Sequence, residues 1–309
     1  MTRTVTRWEN AAWRDVAPAL SVLIPCHRHD PTGLLAALDG AADASVEIVI
    51  LDDGSDDEAL AGSILQAVEA LSLPASFIRL HANEGRAKGR NRLAAAARGR
   101  HFLFLDADMA PDSGDFLDRW LELIAREAPA VAFGGFSLDQ APRTRALAVH
   151  RALALRSDCL PVKARRRAPE KHVFTSNLLV DRRVFAAEPF DASFAGWGWE
   201  DVEWAMRVSR RHQILHVDIP ATHLGLDRAA EMAAKYEQSA ANFARVVAAH
   251  RDTVSGYPSY RAARLLKRAP LIRLWRPWLK AAALVEAAPA KWRAFALRLY
   301  RAALYAEAV

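Results

Sequence analysis

The strongest constraint on this chain is an alternation in its first third, where short apolar runs closed by polar turn formers are each followed by a longer stretch of helical composition. Ser21-Val22-Leu23-Ile24 reads as a strand, and Asp30-Pro31 as an N-cap with a proline at the first helical position. Val46 to Leu51 reads as a second strand, turned by Asp52-Asp53-Gly54-Ser55 into a helix expected to run to about Leu71. Ser76 to Leu80 is a third strand, the alanine-rich segment Arg86 to Arg98 a helix, and His101 to Leu105 a fourth strand that delivers Asp106. The alternation predicts an α/β fold, a mostly parallel central sheet with helices on both faces.

A chain of 309 residues, 52% hydrophobic and 25% charged, can bury one large core or two small ones. No stretch approaches the roughly 18 consecutive apolar residues of a membrane span, and Met1 to Asp15 has no apolar signal-peptide core, so a cytoplasmic location is expected. Cys26 and Cys159 are too few for a disulfide framework and lack metal-ligand spacing; they read as buried free thiols.

The net charge of +6 is local: residues 261–309 carry 11 of the 42 lysines and arginines but 2 of the 36 acids. Such a tail suits an anionic partner, and with no nucleic-acid-binding motif beside the charge, nucleic acid is not expected. In it Trp275, Trp278, Trp292, Phe295 and Tyr300 interleave with Arg273, Arg276, Lys291, Arg298 and Arg301. On a helix starting near Lys291, most apolar side chains share one arc and most cations the other, with Arg293 out of pattern. A peripheral membrane helix and a helix docked on the rest of the protein, or on a second subunit, fit this equally. Pro270, Pro277 and Pro289 are expected to divide the tail into short helices.

In parallel α/β sheets ligands bind beyond the carboxyl ends of the strands, where Pro25 to His29, Asp52-Asp53 and Asp106-Ala107-Asp108 all fall. Two carboxylates one residue apart at a strand end can hold Mg²⁺ or Mn²⁺ while that ion engages a diphosphate; a plain polar strand end is the competing reading. Asp52-Asp53-Gly54-Ser55, taken alone, fits an Asx-type turn capping the next helix better than a ligand site. Asn83 to Asn91 sets cations and glycines near phosphate or is simply a solvated helix start. Downstream, Gly196-Trp197-Gly198-Trp199-Glu200-Asp201 surrounds an acidic pair with glycines that permit close approach and tryptophans whose faces suit pyranose rings. One of the two tryptophans is expected to be exposed in the cleft.

Taken in order, Ser21-Val22-Leu23-Ile24-Pro25, Asp52-Asp53-Gly54-Ser55, Asn83-x-Gly85 to Arg90-Asn91 and Phe104-Leu105-Asp106-Ala107-Asp108 resemble the GT-A fold of family 2 glycosyltransferases. Ser176-Asn177-Leu178-Leu179-Val180 and Phe194 to Glu203 resemble the galactosyltransferase-type C-terminal segment of bacterial chondroitin-type polymerases and β-1,4-galactosyltransferases. The resemblance spans roughly residues 19–250. It implies a Rossmann-like GT-A domain over 19–260, with a nucleotide-binding half (19–110) and an acceptor-binding half (111–260), between an N-terminal extension (1–18) and the basic helical tail.

By the same resemblance, Asp53, or else Asp52, contacts the nucleobase, Pro25 lines the base pocket, and Gly85, Arg90 and Asn91 serve the donor. Asp106 faces ribose and metal, while Asp108 and His223 ligate Mn²⁺ or Mg²⁺; His216 is a competing histidine inside a strand pattern. Asp201 is the general base, Glu200 holds sugar hydroxyls, and Trp197, Gly198, Trp199 and Asn177 meet the acceptor. The implied activity is inverting, metal-dependent transfer of one hexose from a nucleotide sugar, with UDP preferred, to a glycolipid or cell-envelope glycan. The Gln-x-x-Arg-Trp motif and membrane helices of processive synthases are not found. The basic run Lys163-Ala164-Arg165-Arg166-Arg167 is expected in an acceptor-side loop that orders with donor, or else in a solvated surface loop. The alternatives are a catalytically silent nucleotide-sugar sensor or membrane adaptor and, below it, a nucleotidyltransferase.

Overall fold

The computed structural model describes residues 5–13, 17–39, 45–269 and 271–309. A strand β1 (Thr6–Glu9) precedes the alternation of β2 (Leu20–Cys26), α1 (Thr32–Leu38), β3 (Val46–Asp52), α2 (Glu58–Ala70), β4 (Ala75–Arg79), α3 (Arg86–Ala96) and β5 (His101–Phe104). Then come β6 (Met109–Pro111), α4 (Phe116–Glu127), β7 (Val131–Phe133), β8 (Phe136–Ser137), α5 (Ala148–Ser157) and α6 (Val162–Arg165). The chain continues through β9 (Leu178–Asp181), α7 (Arg182–Ala187), α8 (Glu200–Val208), β10 (Ile214–His216) and β11 (Ala221–His223). It ends in four helices, α9 (Ala229–Val254), α10 (Pro258–Lys267), α11 (Ile272–Leu284) and α12 (Ala290–Tyr305).

The main sheet has the order β1-β4-β3-β2-β5-β9-β7-β10. Its centre, β4 to β5, is parallel, whereas β9 runs antiparallel to both β5 and β7. All of β3 and nearly all of β2 are buried, as their unbroken Val/Ile/Leu runs require of strands covered on both faces. Because side chains alternate, Val22, Ile24, Ile48 and Ile50 pack toward α1, α2 and α4, while Leu23, Val49 and Leu51 pack toward α3, α7 and α8. The expected α/β fold with helices on both faces is therefore present. Asp30 acts one position away from its expected role: Pro31 is the N-cap residue of α1, and Asp30 Oδ1 accepts from the Thr32 amide at 2.9 Å.

A second, three-stranded sheet, β6-β11-β8, lies just past the end of β5. In its antiparallel pair His223 sits opposite Met109, and the Leu224 amide donates to the Asp108 carbonyl at 2.9 Å. This register brings residue 223 to residue 108.

The basic tail folds back on the body. Leu297 and Tyr300 of α12 pack with Val149 of α5 and Ala233 and Tyr236 of α9, and Tyr305 stacks on Phe243 with ring centroids 4.2 Å apart. Arg293, the residue out of helical pattern, is buried and donates through Nε to the Ala283 carbonyl at 3.0 Å, serving one of the orphan carbonyls at the end of α11. Pro289 precedes α12 as expected, but Pro277 lies inside α11 and does not end it. The bond it forfeits is to Arg273, on the exposed side where water can serve the carbonyl. Pro270 lies outside the described residues. Among the described residues no helix is long and apolar enough to cross a membrane.

The segment around Lys163 to Arg167 also departs from expectation. Arg165 is buried and donates to the carbonyls of Phe133, Gly134 and Val217 at 2.9 to 3.3 Å, while Arg166 Nη2 reaches the His216 carbonyl at 3.1 Å. Burial pulls the Arg165 guanidinium down to about 10. These bonds pin the segment to the sheet edge.

Candidate active site

Two acidic stations stand at the carboxyl edge of the sheet, joined by arginines from the first turns of α3. Asp106 leaves β5 into the cleft, where Arg90 Nη2 lies 2.7 Å from Oδ1, Ser176 Oγ 2.7 Å from Oδ2, and Arg86 Nη2 3.6 Å from Oδ2. Burial opposes ionisation of Asp106, but Arg90, Arg86 and the Ser176 hydroxyl outweigh it and hold the carboxyl down to about 2. Arg86 also donates through Nε to Glu200 Oε1 at 2.7 Å, and Arg90 Nη1 is 3.7 Å from the same oxygen. Glu200 Oε2, buried, has no hydrogen-bond partner among the described residues.

Glu200 and Asp201 open α8, where the N-terminal dipole favours negative charge. The turn into it runs through Trp199 at φ +76°, a left-handed conformation that is strained for a bulky side chain. Trp199 is held there by Phe243, ring centroids 5.0 Å away, and by Tyr305, whose hydroxyl accepts from Trp199 Nε1 at 2.9 Å. Asp201 is partly exposed and, among the described residues, accepts from the Val202 amide alone, at 2.8 Å. Burial of its carboxyl and the charge of Glu200 push it up to about 7.

Asp108 Oδ2 and His223 Nε2 are 3.3 Å apart, each about one quarter exposed. Burial works against charge on both, but their mutual hydrogen bond raises the imidazole and lowers the carboxyl. A Cβ at residue 225 would fall 1.9 Å from Asp108 Oδ2, so glycine is required at Gly225 for this approach. Oxygen and imidazole donors with solvent access suit Mn²⁺ or Mg²⁺, with diphosphate and water completing the shell. Asp106, the third ligand of the expected set, is placed differently from Asp108 and His223. Its carboxylate is committed to Arg90 and Ser176, and among the described residues no three His, Cys, Asp or Glu side chains gather as a ready metal cluster.

Most other expected site residues also make contacts that hold the fold. Asp52 is fully buried and receives the amide and hydroxyl of Ser55, closing the turn before α2, so it does not reach the cleft. Asp53 accepts the amides of Glu84 and Gly85 at 2.7 and 3.0 Å, fixing the loop into α3; burial nonetheless raises its carboxyl. Gly85 starts that helix at φ +92°. Pro25 is half-buried near the end of β2, opposite Leu51 of β3. Arg90 is buried and acts on Asp106 rather than on solvent. Asn91 makes a paired contact with the Phe190 backbone at 2.9 and 3.1 Å. Asn177, fully buried, donates to the Gly135 and Ile219 carbonyls and so cannot touch an acceptor. Trp197 and Trp199 are both half-buried, against Tyr236 and Phe243, so neither stands free in the cleft; Gly198, at φ +92°, lies between them. His216 is buried, its ring held down to about 4 by desolvation, in keeping with a core role.

Arg86 and Ser176 are the residues that motif reading passed over. Both lie within segments that stand out in the sequence, but their task, gripping Asp106 from 20 and 70 residues away, is visible only in three dimensions.

Residues 21–186, more than half of the chain, match the family "Glycosyl transferase family 2". The chain belongs to that family. Its fold is shared with the mannosyltransferase PcManGT from Pyrobaculum calidifontis, solved with GDP-Man and Mn²⁺, at a TM-score of 0.60 and 14% identity over 97% of this chain and 90% of that one. It is shared also with S. aureus TarS 1-349, at a TM-score of 0.51 and 15% identity with UDP-GlcNAc bound, covering 94% of this chain and 90% of that one. The UDP complex of TarS gives a TM-score of 0.50 at 14% identity, covering 94% and 89%. No curated protein matches the chain in sequence. This family 2 glycosyltransferase therefore has a GT-A fold, with residues 187–309 outside the matched family segment.

Proposed function

We propose that this family 2 enzyme transfers a single hexose, with inversion, from a UDP-sugar to a glycolipid or cell-envelope glycan. The observation that carries the reading is Asp201: a partly exposed carboxyl at the head of α8, pushed up to about 7, beside a glutamate anchored by Arg86. A general base works best when its pKa lies near the working pH. Asp201 takes the proton of the acceptor hydroxyl as that oxygen bonds to the anomeric carbon, while the bond from that carbon to the diphosphate oxygen breaks and its electron pair leaves with the nucleotide. Glu200, fixed by Arg86 and Arg90, holds the head of α8 and with it the neighbouring Asp201 in place.

Asp108 and His223 hold Mn²⁺ or Mg²⁺, which when bound stabilises the charge of the departing diphosphate as a Lewis acid. Asp106, kept ionised by its arginines, faces the ribose side, and Asp53 and Pro25 border the base. GDP-Man with Mn²⁺ in PcManGT and UDP-GlcNAc in TarS support donor and metal by analogy of fold. The 19–260 catalytic unit, with its two halves, is part of the same proposal.

The test is Asp201→Asn with a soluble acceptor glycan and UDP-sugars. Transfer falls by roughly 10² to 10⁴ while donor binding persists; undiminished transfer contradicts the role of base.

A further inference from the structure

Among the described residues, eight of the eleven large apolar side chains left exposed lie between Leu265 and Phe295. Single exposed apolar residues are ordinary on a soluble protein, but a concentration of them marks a contact surface. Trp275, Trp278 and Trp292 are 59%, 74% and 69% exposed, although the opposite sides of the same helices bury Ala283, Ala294 and Leu297. The tail thus has two apolar faces: the inner is used against α5 and α9, and the outer is left bare. Leu271, the N-cap residue of α11, is 70% exposed and sits in the left-handed region at φ +54°, so even a strained turn presents an apolar side chain outward.

Charge says what covers this face. Arg264 and Arg268 are exposed, the first next in sequence to Leu265 and the second near Leu271, and with Arg251 and Lys267 they give four cations against the one acidic side chain, Asp252, around a recess of about 420 Å³; Lys291 is exposed next to Trp292. The acids of residues 261–309 are Glu286 and Glu307, and Glu307 is engaged by Arg273 and Arg276. A second copy meeting this face about a twofold axis would set the same cations against one another. Tryptophan and leucine among arginines and lysines match the boundary between acyl chains and anionic headgroups.

We propose that the outer face of α11 and α12, with the end of α10, docks on an anionic lipid bilayer. The docking is interfacial and spans nothing. It is independent of the donor chemistry above, and it does not use the tail's inner face, whose Tyr305 supports Trp199.

The experiment uses the full chain and two multiple variants, W275S/W278S/W292S and R264E/R268E, in co-sedimentation with phosphatidylcholine vesicles with and without phosphatidylglycerol. Circular dichroism and nucleotide-dependent thermal shift, read in parallel, show that fold and donor site are intact, so a failure here is distinct from a failure of the glycosyltransferase reading. The native protein binds the anionic vesicles with a blue shift of tryptophan emission and binds neutral vesicles poorly. Either variant weakens binding by roughly tenfold or more. Native protein that stays in the supernatant, or a tryptophan variant that binds as well as native, overturns the proposal. So does a native dimer in light scattering that the tryptophan variant splits, since the face then belongs to a second copy.

Discussion

Arg86 Nε and Glu200 Oε1 lie 2.7 Å apart although 114 residues separate them in sequence. The contact ties the start of α3 to the acid pair at the head of α8, and because Arg86 also lies 3.6 Å from Asp106, one guanidinium sets the distance between both acidic stations.

Arg90 is the buried counterpart of that link, 2.7 Å from Asp106 and 3.7 Å from Glu200. Removing one partner of a buried ion pair typically costs about 3–5 kcal/mol, since the stranded charge has lost its solvent. Arg90→Met is expected to lose about 3 kcal/mol of unfolding free energy in urea titration, with Asp106 titrating higher than in the native protein. A change below about 0.5 kcal/mol, ordinary for surface positions, would show that solvent reaches the pair freely.

Asp201 links activity to pH. Its carboxyl, held near 7 by burial and by Glu200, must be ionised to accept a proton. The logarithm of kcat/KM should climb with unit slope up to about pH 7 and level above it. Stability moves the other way. The folded state keeps a proton that the unfolded carboxyl, with its ordinary value of 3.8, gives up sooner, so the contribution is complete below pH 3.8 and is lost as pH rises through about 7. Asp201→Asn should therefore show a smaller fall in Tm across that window than the native protein, at the expense of transfer.

His223 is one of two protein groups offered to the metal. His223→Ala should weaken Mn²⁺-dependent UDP binding by roughly tenfold or more in calorimetry, given that even residues supporting a metal ligand from behind contribute 10–100-fold. In EDTA neither protein should bind UDP measurably, so the difference between them disappears.

Asn91 supplies a contrast. Its side chain pairs with the Phe190 amide and carbonyl, so Asn91→Ala strands backbone groups and is expected to lower stability by about 1–3 kcal/mol while leaving nucleotide affinity within a factor of two or so. A selective loss of UDP binding would return Asn91 to the donor site.

The strands were legible because β2, β3 and β5 are short apolar runs in a chain where both sheet faces are covered, and the placement of Asp106 and Asp108 just past β5 was legible because acids closing an apolar run stand out. Asp52, Asn91 and Asn177 looked alike in sequence but serve backbone groups brought near by folding. Arg165 was hidden within a basic run, since only the structure supplies the three carbonyls that bury it. The tail was legible as amphipathic, yet its two faces were not: Arg293 had to be seen capping α11, and Tyr305 reaching Trp199.

The central claim is a nucleotide-sugar site completed by a metal at Asp108. Its most direct test is thermal shift with UDP, GDP, CDP and TDP, each with and without Mn²⁺, on the native protein and on Asp108→Ala. A ligand at a hundred times its Kd stabilises by about 2.7 kcal/mol, enough to read clearly. The account predicts that UDP stabilises the native protein only when Mn²⁺ is present and leaves Asp108→Ala unmoved. An equal UDP shift in both proteins, or no shift from any nucleotide under either condition, contradicts it.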